Sequence, residues 1–369
     1  GLSGGPGDGG LTVSNSTGNG TLTLKGASTY QGATTIQSGK LVLTGRGDKE
    51  YLKATDEDWA AYRDCSTRLH AKIARRDTAL PTLALENGYN TRQAMSYGFT
   101  AWRDFFNDRQ LLALSCLRDA ITRIADTSAR TALLTLFSGV LEFNNMFASY
   151  KGEGTGAVRH MFSHHILKPE RTPIEANIWG TPKSSGSFSN LFRSRLLRAV
   201  DYRLAPTEVN GTGSAKGRVC APPFSGIVEE QWPEDGRYAE RGIYLSCGDS
   251  ARTGLASRSV DLIVTDPPFF DNVHYSELAD FFHAWRPLTP IADASGGTTT
   301  RHPAEVQDSD ANSFAAKLQA VFCECGRVLR DDGLLIFTYH HSREEGWKAL
   351  AEAVLGAGFA VLNSQPVKA

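Results

Sequence analysis

The run Val260-Asp261-Leu262-Ile263-Val264-Thr265-Asp266-Pro267-Pro268-Phe269-Phe270 decides how this chain is read. Residues 260–264 are apolar apart from Asp261, the near-continuous pattern of a buried parallel strand. An acid, two prolines and two aromatics follow at once. A strand ending in a Pro-Pro corner leaves that acid at the carboxyl end of a sheet, where α/β folds place their ligands. Around it, strand and helix signals alternate. Residues 242–245 read as a strand. Leu278, Phe281, Phe282 and Trp285 share one helical face, stopped by Pro287. Phe314, Leu318, Val321, Phe322, Cys325, Val328 and Leu329 form a longer apolar stripe. Asp332-Gly333 predicts a turn into a strand over 334–338. Trp347, Leu350, Val354 and Leu355 mark a further helix ended by Gly356 and Gly358, and 359–362 predicts a last strand. This alternation predicts a doubly wound α/β region over residues 236–369.

Upstream the composition changes twice. Residues 1–46 are rich in Gly, Ser and Thr, with Asp8, Lys25 and Lys40 the only charges before Arg46. Two alternating stretches, 21–24 and 40–43, read as strands between turns. Residues 47–235 predict a mainly helical region. Its opening, 48–76, is charged and helix-like. Asn107 followed by Gln110 has the spacing of a helix N-cap with its reciprocal partner. Leu114, Leu117, Ile121 and Ile124 then lie on one face, and a second helix is expected after Thr127-Ser128.

The formal charge is −1, so a global basic field is absent and any polyanion contact needs a local patch. Residues 151–203 supply one: nine Lys/Arg against four Asp/Glu, with Lys151, Arg159 and Lys183 as candidate phosphate contacts and a Gly/Ser-rich loop at 181–189. A solvated face is the alternative reading of that patch. The six cysteines form no C-x-x-C pair, which points to reduced thiols rather than a zinc site. His160, His164 and His165 lack a carboxylate or thiol at ligand spacing, so no metal is expected. The chain shows no signal-peptide pattern and no membrane-spanning run, so a cytoplasmic protein with no membrane contact is expected. The oligomeric state is not legible.

The Asp266-Pro267-Pro268-Phe269 tetrapeptide suits one task. An exocyclic amino group on a nucleobase is a poor nucleophile, because its lone pair is delocalised into the ring. Two acceptors binding its two N–H groups draw the nitrogen toward sp3 geometry. The Asp266 carboxylate and the Pro267 carbonyl are those acceptors, while the prolines fix the backbone and remove competing donors. Phe269 would stack on an extruded base, worth about 1–3 kcal/mol. The bland alternative is a strand followed by a Pro-Pro turn with an exposed acid.

VDLIVTDPPFFDNVHYSELADFFHAWRPL (260–288) resembles adenine-specific DNA methylases of the DUF1156 type, which carry DPPYYDN followed by Y-x-[ED]-L-[SA]-DFF and a Trp. YGFTAWRDFFNDRQLLAL (97–114), SYKGEGTGAVRHMFSHHILKPERTPIEANIWGTPKSSGSF (149–188) and VLRDDGLLIFTYHHS (328–342) resemble the same group, so the likeness spans roughly 47–369. Phe269 and Phe270 stand where tyrosines are commoner. The resemblance implies a Rossmann-like methyltransferase sheet with a helical insertion, S-adenosyl-L-methionine as cofactor, and DNA (or RNA) as partner. It implies methyl transfer to adenine N6, with cytosine N4 or RNA bases as alternatives for the same tetrapeptide. It places Asp266, Pro267, Pro268 and Phe269 in the amino-group pocket. Phe270, Asn272, His274 and Tyr275 fall on the substrate side. Gly248 and Asp249 fall where an acid binds the cofactor's adenine, although a plain turn explains Asp249 equally well.

Such enzymes hold the cofactor's methionine end with a Gly-rich loop of the D-P-F-x-G-x-G kind, N-terminal to the helical region. Here that place holds GTLTLKGASTYQGATTIQSGKLVLTG (20–45), which resembles one autotransporter-associated β-strand repeat. A flexible tail is the alternative reading of this segment. One repeat cannot bury its own apolar face. Gly152-Glu153-Gly154-Thr155-Gly156 is the remaining Gly-rich candidate, without a convincing strand before it. The sheet is therefore expected to be partial, lacking its first strands and ending early at Ala369. The isolated chain is expected to bind S-adenosylmethionine weakly, and an inactive nucleic-acid-binding fragment is the alternative function.

Overall fold

A computed structural model describes residues 53–366 except 151–157, 165–166, 170–173, 181–184, 210–217, 234–235 and 291–296, together with strand segments within the first 52. It divides into two compact units, one of residues 1–204 and 277–300, the other of 205–276 and 301–369. The sequence boundary near 235 falls inside the second unit. Both contain helices, and the strands form small sheets, so the chain is mixed α/β.

In the first unit the repeat-like segment contributes short strands. Leu22–Leu24 and Lys40–Thr44 both pair antiparallel with Asp48–Leu52. The charged stretch expected to be wholly helical therefore begins as a strand. Helix α1 (Asp56–Ala74) starts only after it, capped by Thr55 and Asp58 in a reciprocal box. Helix α2 (Asp108–Thr122) begins at the expected box, with Asn107 and Gln110 each accepting the other's backbone N–H. Helix α3 (Thr127–Phe143) is capped one residue earlier than expected, by the Asp126 carboxylate on the Ala129 amide.

The core beside these helices is aromatic. Helix α4 (Tyr275–His283) inserts Phe281, fully buried, among Trp102, Phe105, Phe106 and Phe162. Trp285 packs edge-on to Phe106 and Phe137. Two buried acids of α4 pin loops around this core. Glu277 accepts from the amides of Tyr89, Asn90 and Thr91, covering the N–H groups that open the short helix Thr91–Ser96. Asp280 accepts from Thr299 and Thr300.

The second unit holds two parallel strand pairs. β1 (Ile227–Glu229) pairs with β2 (Gly242–Tyr244), and β3 (Val260–Thr265) with β4 (Leu329–Phe337). Asp332-Gly333 does not open a new strand. It lies in an irregularity inside β4, where Val260↔Leu329 is followed by Leu262↔Leu334. Helices α5 (Ala311–Val328) and α6 (Glu344–Gly356) cover one face, burying Phe314, Leu318, Phe322 and Ala353 against Ile263, Leu335 and Phe337. The other face departs from the buried-strand expectation: Leu262, Val264, Leu334 and Ile336 are exposed, Val264 by 70%. Residues 359–366 form no strand. Helix α6 ends in a Schellman turn, with Gly358 at φ 84°, the Phe359 amide on Val354 O and the Gly358 amide on Leu355 O. That turn folds Phe359 back onto Phe322 instead of extending it along the sheet. Among the described residues no helix is long and apolar enough to cross a membrane.

Glu324 of α5 ties the 253–257 loop to the helix. Hydrogen bonds from Arg327 dominate its environment. Burial opposes them, and the Thr253 amide and hydroxyl reinforce them, leaving the carboxyl at about 2 against an ordinary 4.5. A carboxyl depressed by folding stabilises the fold above its unfolded pKa and loses that contribution as pH falls toward the folded value. Stability should therefore fall between about pH 4.5 and 2. Glu324→Gln should flatten that dependence in urea titrations run across the window, and an unchanged slope would refute the assignment.

Candidate base-binding site at the end of strand β3

β3 and β4 run parallel, and their register, Val264↔Ile336 and Thr265↔Phe337, sets residues 266 and 338 side by side at the carboxyl edge. Asp266 is exposed and enters no ion pair among the described residues. Its Oδ1 accepts a hydrogen bond from the Thr338 hydroxyl. Among the described residues Oδ2 has no partner, and the same holds for the Pro267 carbonyl. The Pro267 ring is buried and the Pro268 ring half-buried, which anchors the corner. Phe269 is half-buried, its ring edge-on to Tyr339 at 5.5 Å.

Phe270 anchors the corner from beneath. It is 1% exposed and sits at φ 52°, left-handed backbone that a bulky side chain rarely adopts. Holding it there costs on the order of 1–3 kcal/mol. Packing against Phe314 (5.4 Å) and His341 (5.5 Å), with the Arg343 cation over its ring at 5.5 Å, offsets that cost. This burial makes Phe270 a support of the corner rather than the substrate-side contact expected from the sequence.

The next residue, Asp271, is ion-paired with Arg343 and lies 3.4 Å from His341 Nε2. Burial works against its charge. The hydrogen bond and charge of Arg343, followed by His341, outweigh it and hold the carboxyl below its usual range. Tyr339 donates to Gly346 O at 3.0 Å, and burial, helped by the Asp271 charge, pushes its hydroxyl up to about 12. Tyr339 therefore stays neutral at any ordinary pH, a rigid wall for Phe269. Asn272 and Tyr275 are exposed just past the corner, and His274 is half-buried. Of the strand-end histidines, His340 is exposed, whereas the side chain of His341 is 5% exposed and faces Asp271.

Gly248 and Asp249 follow β2 in an exposed turn. Asp249 Oδ1 accepts the Ala251 amide, as a turn residue would, and Oδ2 is uncommitted. It can accept from a nucleoside's amino or hydroxyl group. No amide cradle for the methionine end of S-adenosylmethionine occurs among the described residues. The described residues fit that cofactor only in part. Residues 152–156, Lys151 and Lys183 lie outside the described residues. Arg159 is half-buried in a two-residue strand with Ser149–Tyr150 and is engaged within the chain, so it is not a free phosphate contact. Among the described residues the exposed cations of the basic stretch are Lys168 and, on a helical run over 188–204, Arg193, Arg195, Arg198 and Arg203, of which Arg195 is paired with Glu142 at 3.6 Å. Sequence reasoning passed over them individually, and it also missed Thr338, Asp271 and Arg343. The register between the two strand patterns was the available signal for Thr338.

Residues 17–43 match the family described as Passenger-associated-transport-repeat. Comparison with curated proteins gave no match, and comparison with solved structures gave none either.

Proposed function

We propose that the corner at Asp266–Phe269 grips the exocyclic amino group of an unpaired nucleobase, adenine of DNA first, for methylation at N6. The observation that carries this reading is a pair of uncommitted acceptors, Asp266 Oδ2 and the Pro267 carbonyl, on consecutive residues at the carboxyl end of parallel strands. Amino N–H groups are the natural complement of two acceptors with no donor between them, since neither proline has an N–H. Phe269, steadied by Tyr339, offers an aromatic face for a base, and Asn272, His274 and Tyr275 border it on the substrate side. In this reading the two parallel pairs belong to a Rossmann-like sheet, and the exposed Arg193, Arg198 and Arg203 of the first unit give nucleic acid a separate phosphate contact that carries no sequence information. S-adenosylmethionine, bound at its adenine end near Gly248 and Asp249, would supply the methyl sulfonium. The chain's own part is to hold the amino nitrogen with its lone pair turned outward. Transfer would leave that nitrogen one proton in excess, and the Asp266 carboxylate that holds its N–H would be the acceptor for it.

The partial fit to the cofactor favours a second reading: a nucleic-acid-binding portion that holds the base without transferring a methyl group. Incubation with isotope-labelled S-adenosylmethionine and defined single-stranded DNA or RNA, followed by nucleoside mass spectrometry, separates the two. The expected product is N6-methyladenine in DNA. N4-methylcytosine, or a product confined to RNA, would move the substrate to the alternatives. Salt-sensitive binding with no labelled base at saturating cofactor would leave the second reading.

A further inference from the structure

The hydrogen bond between Thr338 and Asp266 is not needed to set the strand register, because the ladder already does so: the Thr338 amide donates to Thr265 O at 3.3 Å. Both side chains are exposed, so the bond does not satisfy a buried group either. Its effect is on the carboxylate. The last torsion of an aspartate is broad and roughly two-fold, so a solvent-exposed carboxylate rotates freely. A hydroxyl fixed on Oδ1 removes that freedom and decides which oxygen remains for a ligand. Threonine is suited to the task, since β-branching stiffens its own first torsion. A hydroxyl meeting an ionised carboxylate must donate, so Oδ1 loses acceptor capacity while Oδ2 keeps its own.

We infer that Thr338 is a positioning residue for base recognition, locking the Asp266 carboxylate so that Oδ2 is presented to the amino group. The inference rests on the reading of the corner given above. It needs no methyl transfer to be tested, because the effect falls on recognition of the amino group itself.

The probe is a single-stranded oligodeoxynucleotide carrying either one adenine or one purine, which differs only by lacking the amino group. Equilibrium binding of the full chain to each gives a preference ratio. The wild type should prefer adenine by about tenfold, the scale of one hydrogen bond to a charged acceptor. Thr338→Ser keeps the donor and should retain that preference within about threefold. Thr338→Val keeps the shape, removes the donor, and should bring the ratio close to one while leaving affinity for the purine oligonucleotide unchanged. If Thr338→Val keeps the wild-type ratio while Asp266→Ala loses it, the positioning role is wrong and the amino-group reading stands. If the wild type itself shows no preference, both fall. If Thr338→Val weakens both oligonucleotides alike, Thr338 merely supports the fold and the inference is overturned.

Discussion

Replacing Asp266 by alanine should lower methyl transfer by about a thousandfold and abolish the preference for adenine over purine, with the fold intact. The two effects come from one loss. On the proposed function, transfer requires the amino nitrogen to be held by its hydrogens while its lone pair points away from the ring, and the Asp266 carboxylate is one member of the holding pair. Without it the Pro267 carbonyl alone can neither fix the group nor accept the departing proton. The fold should survive because Asp266 is exposed, and Thr338, its partner, is exposed as well. Asp266→Asn separates charge from shape, since an amide offers one acceptor and brings a donor into the pocket. Steady-state transfer assays and thermal melts on the same preparations check the prediction. Wild-type turnover in the alanine variant would end the catalytic assignment.

Phe281→Ala should have the largest effect on stability. Its ring is fully buried and meets Trp102, Phe105, Phe106, Phe162 and Phe282, so truncation removes a whole aromatic contact set and leaves a cavity. The expected cost is about 3–5 kcal/mol. The structure further requires that this loss be felt around Trp102 and Trp285, both buried in the same cluster. Urea unfolding followed by tryptophan fluorescence reads the shift. A cost below about 1 kcal/mol would show that the aromatic packing is misassigned.

The elements most legible in the sequence were those decided by local chemistry. The Asn107 and Gln110 box opens a helix as its spacing says, because both hydrogen bonds close within four residues. The apolar stripe from Phe314 to Val328 is a helix whose stripe is its buried face. The strand before Asp266 was also legible, but its environment was not. Leu262 and Val264 are as apolar as Ile263, and nothing in a run of apolar residues says that alternate ones lie on an open face. The strand foreseen at 359–362 failed because Gly358 terminates helix α6 in a Schellman turn that turns Phe359 back onto α5. At the site, the acid, the prolines and Phe269 stood out by their order. Phe270 was misassigned because its left-handed backbone, which points the ring inward, leaves no mark on residue type. Asp271, Thr338 and Arg343 were invisible for a different reason: their pairing closes across about seventy residues and depends on strand register.

The same distinction separates the two acids of the 275–283 helix from Asp266. Glu277 and Asp280 lie in the stretch that carries the methylase resemblance, yet each is buried and saturated by loop donors. Asp266 keeps one oxygen uncommitted at a solvent-facing strand end. An acid whose oxygens are all occupied by the protein can hold the protein together, and only one with a vacant lone pair can hold a ligand.

Which hydrogens the corner needs can be read from base analogues. Single-stranded oligonucleotides carrying adenine, purine or N6,N6-dimethyladenine at one position can be titrated against the unmodified chain. If two acceptors grip a primary amine, affinity should be highest for adenine and fall by about tenfold for each analogue, because neither retains an N–H at that position. Equal affinity for all three bases would rule out a grip on the amino group, since the corner would then be recognising a base by its ring alone.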